Sequence, residues 1–131
     1  MNLLLEPHRF TEMDPVCVYD RREPSELFYG HVYRILNKPL TFDTFVDHFY
    51  IQFPKYVYER LLRRGSKIMY NHKPHTVGDI IRNHDTMDIE KIFVQYQYST
   101  CESEITIDKI NSILIWRISY SITLYTTVHE R

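Results

Sequence analysis

The chain lacks alanine altogether and contains only three glycines among its 131 residues. Long helices of the alanine-rich kind are therefore not expected. The frequent tyrosine and isoleucine residues instead favour β-strands, in which aromatic and β-branched side chains pack well. An AT-rich genome would produce the same bias, so composition alone does not decide the fold class.

Cysteine, net charge and long apolar runs are scarce as well. The two cysteines, Cys17 and Cys101, have no metal-type spacing and indicate no disulfide framework. Sixteen basic residues against 17 acidic ones leave no global charge that would indicate nucleic acid or a membrane as the partner. The opening MNLLLEPHRF is too short for a signal peptide or a membrane span. We therefore expect a cytoplasmic protein that does not contact a membrane.

The hydrophobic fraction of 44% and the aromatic fraction of 15% are enough for a folded core. Residues 1–26 are acidic and interrupted by Pro7, Pro15 and Pro24, which is typical of an irregular arm. The segment LFYGHVYRIL then predicts a strand. Four apolar residues follow at helical spacing, Phe42, Phe45, Val46 and Phe49, and predict a first helix.

A second helix is predicted for KYVYERLLRR, beginning after Pro54 and stopped by Gly65. A short strand from Lys67 to Tyr70 and a turn at Asn71–Pro74 come next. The segment HTVGDIIRNHD is interpreted as a loose connection. Further strands are predicted in TMDIEKIFVQYQY, EITIDKI and SILIWRISYSITLY, and Trp116 in the last segment is interpreted as a core residue.

Positive charge is concentrated in the window from Lys55 to His75, which contains six lysine or arginine residues and one acid, Glu59. Such a cluster, interleaved with Tyr56, Tyr58 and Tyr70, is typical of a surface that binds phosphates and stacks on unpaired bases. A solvated basic helix face, paired with the acidic arm, explains the charge equally well.

The register of this window supports the first interpretation. YERLLRRGSKIMYNHKP followed by HTVGDIIRNHDTMDI resembles the S4 RNA-binding domain, in which a helix pair leads into a strand, an Asn-Gly-Lys turn and a later Gly-Asp turn. Here His72 and His84 stand where the family has glycine. Asn and His accept positive φ better than most residues, so both turns remain feasible.

S4 domains bind structured RNA through the second helix and the following turn, and the resemblance transfers this role to matching positions. The resulting RNA-binding set is Lys55, Arg60, Arg63, Arg64, Lys67, Tyr70, Asn71, His72 and Lys73. It implies an α+β fold, with an S4-like helix pair on a small, mostly antiparallel sheet, an irregular N-terminal arm and extra C-terminal strands.

The sequence also resembles the N-terminal region of RluA-type pseudouridine synthases of the eukaryotic branch, in which an S4 domain precedes the catalytic domain. The chain has no Gly-Arg-Leu-Asp motif, which carries the catalytic aspartate of that family. The resemblance thus implies a degenerate enzyme with an arm at 1–26, an S4-like domain at 27–95 and remnant strands at 96–131.

No catalytic residues, metal site or cofactor are predicted. His72 and His75 are close in sequence, but no acidic or cysteine ligand has a suitable spacing. We expect a monomeric, non-enzymatic protein that binds structured RNA, with ribosomal RNA, ribosomal proteins and idle or dormant ribosomes as its setting. The alternative is a protein-interaction module that uses the strand FVQYQY as an aromatic sheet edge.

Overall fold

The structure, a computed structural model, describes residues 10–39 and 45–125, in which one antiparallel sheet of nine strands dominates. The strands are β1 Pro15–Asp20, β2 Phe28–Pro39, β3 Phe45–Gln52, β4 Lys67–Tyr70, β5 Lys73–Arg82, β6 Ile89–Tyr96, β7 Glu102–Ile105, β8 Ile110–Ile115 and β9 Tyr120–Leu124. One helix, α1 Lys55–Leu61, and a 3-10 turn, Ile107–Lys109, complete the described elements. The strand order is β7-β6-β5-β4-β8-β3-β2-β1-β9.

The predicted α+β fold with an S4-like helix pair is wrong. The segment expected to form the first helix contains strand β3, while Thr41 and Phe42 lie outside the described residues. Within β3 the side chains alternate, because Phe49 and Ile51 enter the main core and Tyr50 enters a separate cluster on the other face. Hydrogen bonding to β2 on one side and β8 on the other satisfies the backbone of β3, so tertiary pairing overrides the helical spacing.

Three local predictions also need correction. Strand β1 lies inside the range expected to be an irregular arm. Most of the supposed loose connection HTVGDIIRNHD belongs to β5, which spans Lys73–Arg82. Helix α1 ends at Leu61 with Leu62 as its C-cap, so Gly65 does not stop the helix but takes φ +95° in the turn that follows. The predicted strand Lys67–Tyr70 is confirmed.

Strands that are distant in sequence interleave in the sheet. Strand β8 separates β3 from β4, and β9 pairs with β1 at one edge. The segment FVQYQY, expected to form an edge, lies mostly in β6, which pairs with β5 on one side and β7 on the other. Among the described strands, the edges are instead β7 and β9.

The main core lies between helix α1 and one face of the sheet, called here the inner face. Val57, Tyr58 and Leu62 are buried against it. The Tyr58 hydroxyl accepts a hydrogen bond from the Phe53 amide at 2.9 Å and donates to the Asn111 carbonyl at 3.3 Å. Burial raises the pKa of Tyr58 to about 12. This neutral hydroxyl therefore links the helix to the end of β3 and to β8. Because α1 packs on the inner face, it does not cover the opposite face of the sheet.

Candidate functional site

The outer face of the four central strands carries a second apolar cluster. Tyr50 of β3, Met69 of β4 and Leu114 of β8 are buried there, and Tyr33 and Leu36 of β2 pack against them. Tyr50 is only 4% exposed although it points away from the main core. We call this region the central outer face and define it by Tyr33, Arg34, Leu36, Lys38, His48, Tyr50, Lys67, Met69, Leu114 and Trp116.

Strand register places polar and apolar members of this face side by side. Arg34 lies opposite Tyr50, and Tyr50 lies opposite Leu114. Ile68 of β4 pairs with Ile113 of β8, so the preceding residue, Lys67, lies opposite Leu114 and continues the row onto β4. Four strands at the usual spacing make this row about 14 Å long. A β-bulge between Val32 and Arg34 puts Tyr33 beside Arg34 at one end of the row.

A depression of about 130 Å³ opens on this face. The residues that line it include no carboxylate among those that the structure describes: Leu36, Lys38, His48, Tyr50, Lys67, Pro74, Gln97, Leu114 and Trp116. Trp116, which the sequence analysis assigns to the core, is 48% exposed and packs edge-on against His48, with 5.2 Å between ring centroids. The depression thus offers an accessible indole next to cationic side chains.

His48 lies in this depression as a predominantly neutral imidazole at neutral pH. Partial burial and the nearby Lys38 ammonium lower its pKa, and the Asp47 carboxylate offsets part of that effect. The ordinary pKa of histidine is about 6.5, so a lowered value leaves the ring uncharged near pH 7. An uncharged ring beside Trp116 presents an aromatic surface on which another aromatic ring can pack.

Three cations of the central outer face, Arg34, Lys38 and Lys67, have no carboxylate partner among the described residues. The Lys67 ammonium donates to the Thr76 hydroxyl at 2.9 Å. The Arg34 guanidinium donates to the His72 carbonyl at 3.3 Å and lies 5.6 Å from the centre of the Tyr33 ring. Their charges are therefore not neutralised within the described protein and are available to an anion.

The turn between β4 and β5 borders the same face. The predicted turn is confirmed at Asn71 and His72, which take φ 55° and 62°. The His72 amide donates to the Asn111 side-chain oxygen at 2.9 Å. The His72 ring lies parallel to the Tyr33 ring, with a 6.0 Å separation, and hydrogen-bonds to its hydroxyl. These contacts hold a histidine where glycine would be conformationally easier.

The arginines of the predicted RNA-binding set lie elsewhere, at the end of helix α1. Arg60 pairs with Glu26 at 2.6 Å, and Arg64 pairs with Asp79. The Arg63 guanidinium donates to two carbonyl groups of the helix end at 2.9 and 3.0 Å. We call Arg60, Arg63 and Arg64 the helix-end arginines. Lys55 is exposed at the start of the same helix.

The remaining predicted residues divide between the two faces of β4 and its turn. Lys67 belongs to the central outer face, and His72 borders it. Tyr70 instead packs against the main core, with its ring 5.1 Å from that of His75. The Lys73 ammonium lies 5.6 Å from the centre of the Tyr96 ring. The nine predicted residues are thus divided among helix α1 and its end, the central outer face and the β4–β5 hairpin.

Sequence reasoning missed most of the central outer face. Tyr33 and Arg34 lie in a segment interpreted only as a strand, and Tyr50 lies in the supposed first helix. Lys38 lies in the segment Asn37–Pro39, for which the sequence predicts a turn, but strand β2 continues through it to Pro39. The signal that could have found them is the two-residue alternation in HFYIQ and SILIW, which places Tyr50 and Leu114 opposite the core residues. The order of the strands in the sheet, however, cannot be inferred from the residues of any one segment.

Within residues 10–39 and 45–125, no three His, Cys, Asp or Glu side chains are grouped closely enough to hold a metal ion. In the same part of the chain, no helix has the length and apolar character needed to cross a membrane. Comparison with protein-family models, with curated proteins and with solved structures finds no significant match. The kinship with pseudouridine synthases therefore stays a prediction from sequence.

Proposed function

We propose that this chain is a non-enzymatic RNA-binding protein whose binding surface is the central outer face. The observation that supports the proposal is the arrangement of Lys38 and Lys67 around an accessible indole, with Arg34 further along the same face. None of the three cations has a carboxylate partner among the described residues. Sheet faces that combine cations with aromatic rings bind single-stranded nucleic acid, because phosphates contact the cations and bases stack on the rings.

Each part of the surface has a distinct task in this proposal. Lys38 and Lys67 flank the depression and contact phosphates on either side of a base. Trp116 supplies the surface on which a base stacks, and His48 holds the indole in place by its edge-on contact. Arg34, at the far end of the row, contacts a further phosphate, so the row accommodates two or three nucleotides.

A shallow sheet face suits unpaired nucleotides better than a duplex. Bases in A-form RNA are stacked and paired, whereas loops and ends can splay bases out onto aromatic side chains. Loops in ribosomal RNA present such nucleotides, so the ribosomal setting expected from the sequence stays compatible with this surface. Its test is sedimentation of the tagged protein with a ribosomal subunit and loss of that comigration after nuclease treatment.

Two double variants with the same change in charge test the location of the site. Lys38→Glu with Lys67→Glu reverses two cations of the central outer face, and Arg63→Glu with Arg64→Glu reverses two helix-end residues. We expect the first pair to weaken binding of a labelled single-stranded RNA by about tenfold or more, because two phosphate contacts become repulsive. We expect the second pair to have a much smaller effect, measured by fluorescence anisotropy at fixed salt.

An equal or larger loss in the helix-end variant would move the site to the surface that the sequence predicts. Absence of RNA binding by the wild-type protein would overturn the proposal altogether. Circular dichroism of both variants, whose substituted side chains are all exposed, controls for unfolding. The alternative function, a protein-interaction module, stays a prediction, although its expected edge in β6 is occupied on both sides.

A further inference from the structure

The two edge strands of the described sheet differ in charge. Strand β7 carries Glu102 and Glu104, and Glu104 pairs with Lys91 at 3.3 Å. Charged side chains on an edge oppose pairing with a further strand, above all with an identical one. At the other edge, residues 118–125 read ISYSITLY and contain no charge and no proline. Strand β9 therefore lacks the charged residues and the proline that commonly prevent edge pairing.

The unused backbone groups of β9 can be assigned from its pairing with β1. The Tyr125 amide donates to the Pro15 carbonyl at 2.9 Å, and the Arg21 amide donates to the Ser119 carbonyl at 3.1 Å. Since antiparallel ladders alternate, the intervening residues Ile122 and Leu124 direct their amide and carbonyl groups away from β1. No strand in the described part of the chain pairs with β9 on that side.

We propose that β9 pairs with β9 of a second copy of this chain and forms a symmetric dimer with a continuous sheet. An antiparallel arrangement with its two-fold axis at Thr123 places Ile122 opposite Leu124 of the second copy. These residues then exchange about four backbone hydrogen bonds in total. The two copies of Thr123 face each other at the axis, and threonine pairs of this kind stabilise antiparallel strands.

A second copy fits this edge because the pairing is self-complementary. The arrangement brings only uncharged side chains together along β9, so no like charges meet. Leu124, which is 39% exposed, gains contact with the second copy's Ile122, which lies on the same face of the sheet. The proposal replaces the monomer expected from the sequence, and it does not depend on RNA binding.

Analytical ultracentrifugation of the RNA-free protein over a range of concentrations tests the dimer. We expect the wild-type protein to dimerise and Thr123→Lys to raise the dissociation constant by about tenfold or more, because two ammonium groups would meet at the axis. Ser103→Lys, at the exposed centre of the β7 edge, is the matched control and should dimerise like the wild type.

Hydrogen exchange of the wild-type protein gives a second readout that needs no variant. The Ile122 and Leu124 amides should exchange more slowly as the protein concentration rises, while the amides of β7 should not change. A wild-type protein that stays monomeric at all accessible concentrations overturns the proposal. Dimerisation of Thr123→Lys at wild-type strength, or protection confined to β7, overturns it as well.

Discussion

The three helix-end arginines and the three cations of the central outer face contact different partners. Two of the helix-end arginines pair with the carboxylates Glu26 and Asp79, and the third is bonded to backbone carbonyls. Arg34, Lys38 and Lys67 have no carboxylate partner among the described residues, and Lys38 and Lys67 line the same depression as an exposed indole. A basic cluster in the sequence thus does not by itself show which cations the fold leaves unpaired.

The largest expected difference between the two regions concerns base stacking. Each region has an exposed aromatic side chain, Trp116 at 48% and Tyr56 at 61%. Trp116→Ala should weaken RNA binding by about 5- to 150-fold, since stacking of a base contributes about 1–3 kcal/mol. Tyr56→Ala, on helix α1 near the arginines, should leave the affinity unchanged in the same anisotropy titration. The reverse pattern would assign the RNA to the helix end.

The next difference is in salt dependence. Removing one phosphate contact reduces the slope of log affinity against log salt by about 0.7 for single-stranded nucleic acid. Lys67→Gln should show this reduction, whereas Arg64→Gln, whose guanidinium already pairs with Asp79, should retain the wild-type slope. Titrations at several salt concentrations separate the two results, and identical slopes for both variants would contradict the distinction between the regions.

A smaller difference is expected in the free energy of unfolding, to which the helix-end ion pair should contribute more than the cations of the central outer face. Arg60→Gln and Glu26→Gln should show a coupling free energy of about 0.2–1 kcal/mol in a double-mutant cycle, the usual range for a solvent-accessible ion pair. Lys38→Gln should change the free energy of unfolding by less than about 0.5 kcal/mol, since Lys38 has no ion-pair partner among the described residues. Urea denaturation measures both, and a larger loss for Lys38→Gln would show that the outer cations serve folding.

The smallest expected effect is the pH dependence of stability at the central outer face. The pKa of His48 is lower in the folded protein than in the unfolded chain, so the unfolded chain binds the proton more strongly. Stability should therefore fall as pH drops through about 6.5 and below. His48→Gln should lose less stability than the wild type over this interval in urea titrations. His84→Gln, at a fully exposed turn, is the control.

Features of the fold that depend on neighbouring residues could be predicted from the sequence, whereas features that depend on pairing between distant strands could not. The strand at Lys67–Tyr70 and the turn at Asn71–His72 depend on neighbouring residues and were predictable. Strand β3 was not, because Phe42, Phe45, Val46 and Phe49 fit one helix face, and only pairing with β2 and β8 decides the matter. The residues of the candidate site come from four strands whose adjacency has no local signature.

The pairing of Arg60 with Glu26 agrees with the alternative of a basic helix face paired with the acidic arm, whereas the pairing of Arg64 with Asp79 was not predicted. Glu26 precedes Arg60 by 34 residues, and Asp79 follows Arg64 by 15. Counting charges within the window from Lys55 to His75 omits both acids, so the window suggests more free charge than the fold leaves. The free charge of a sequence window can therefore be judged only after the acids contributed by other segments of the chain have been included.

The position of β8 between β3 and β4 has a consequence for synthesis on the ribosome. A nascent chain that has produced β1 to β7 still lacks the strand that joins β3 to β4, so the two halves of the sheet cannot close until residues beyond Ile115 have emerged. Such late, non-local pairing slows folding and leaves strand edges exposed meanwhile. Leu114 lies in β8 and Trp116 directly follows it, so the central outer face is complete only after residue 116 has been synthesised.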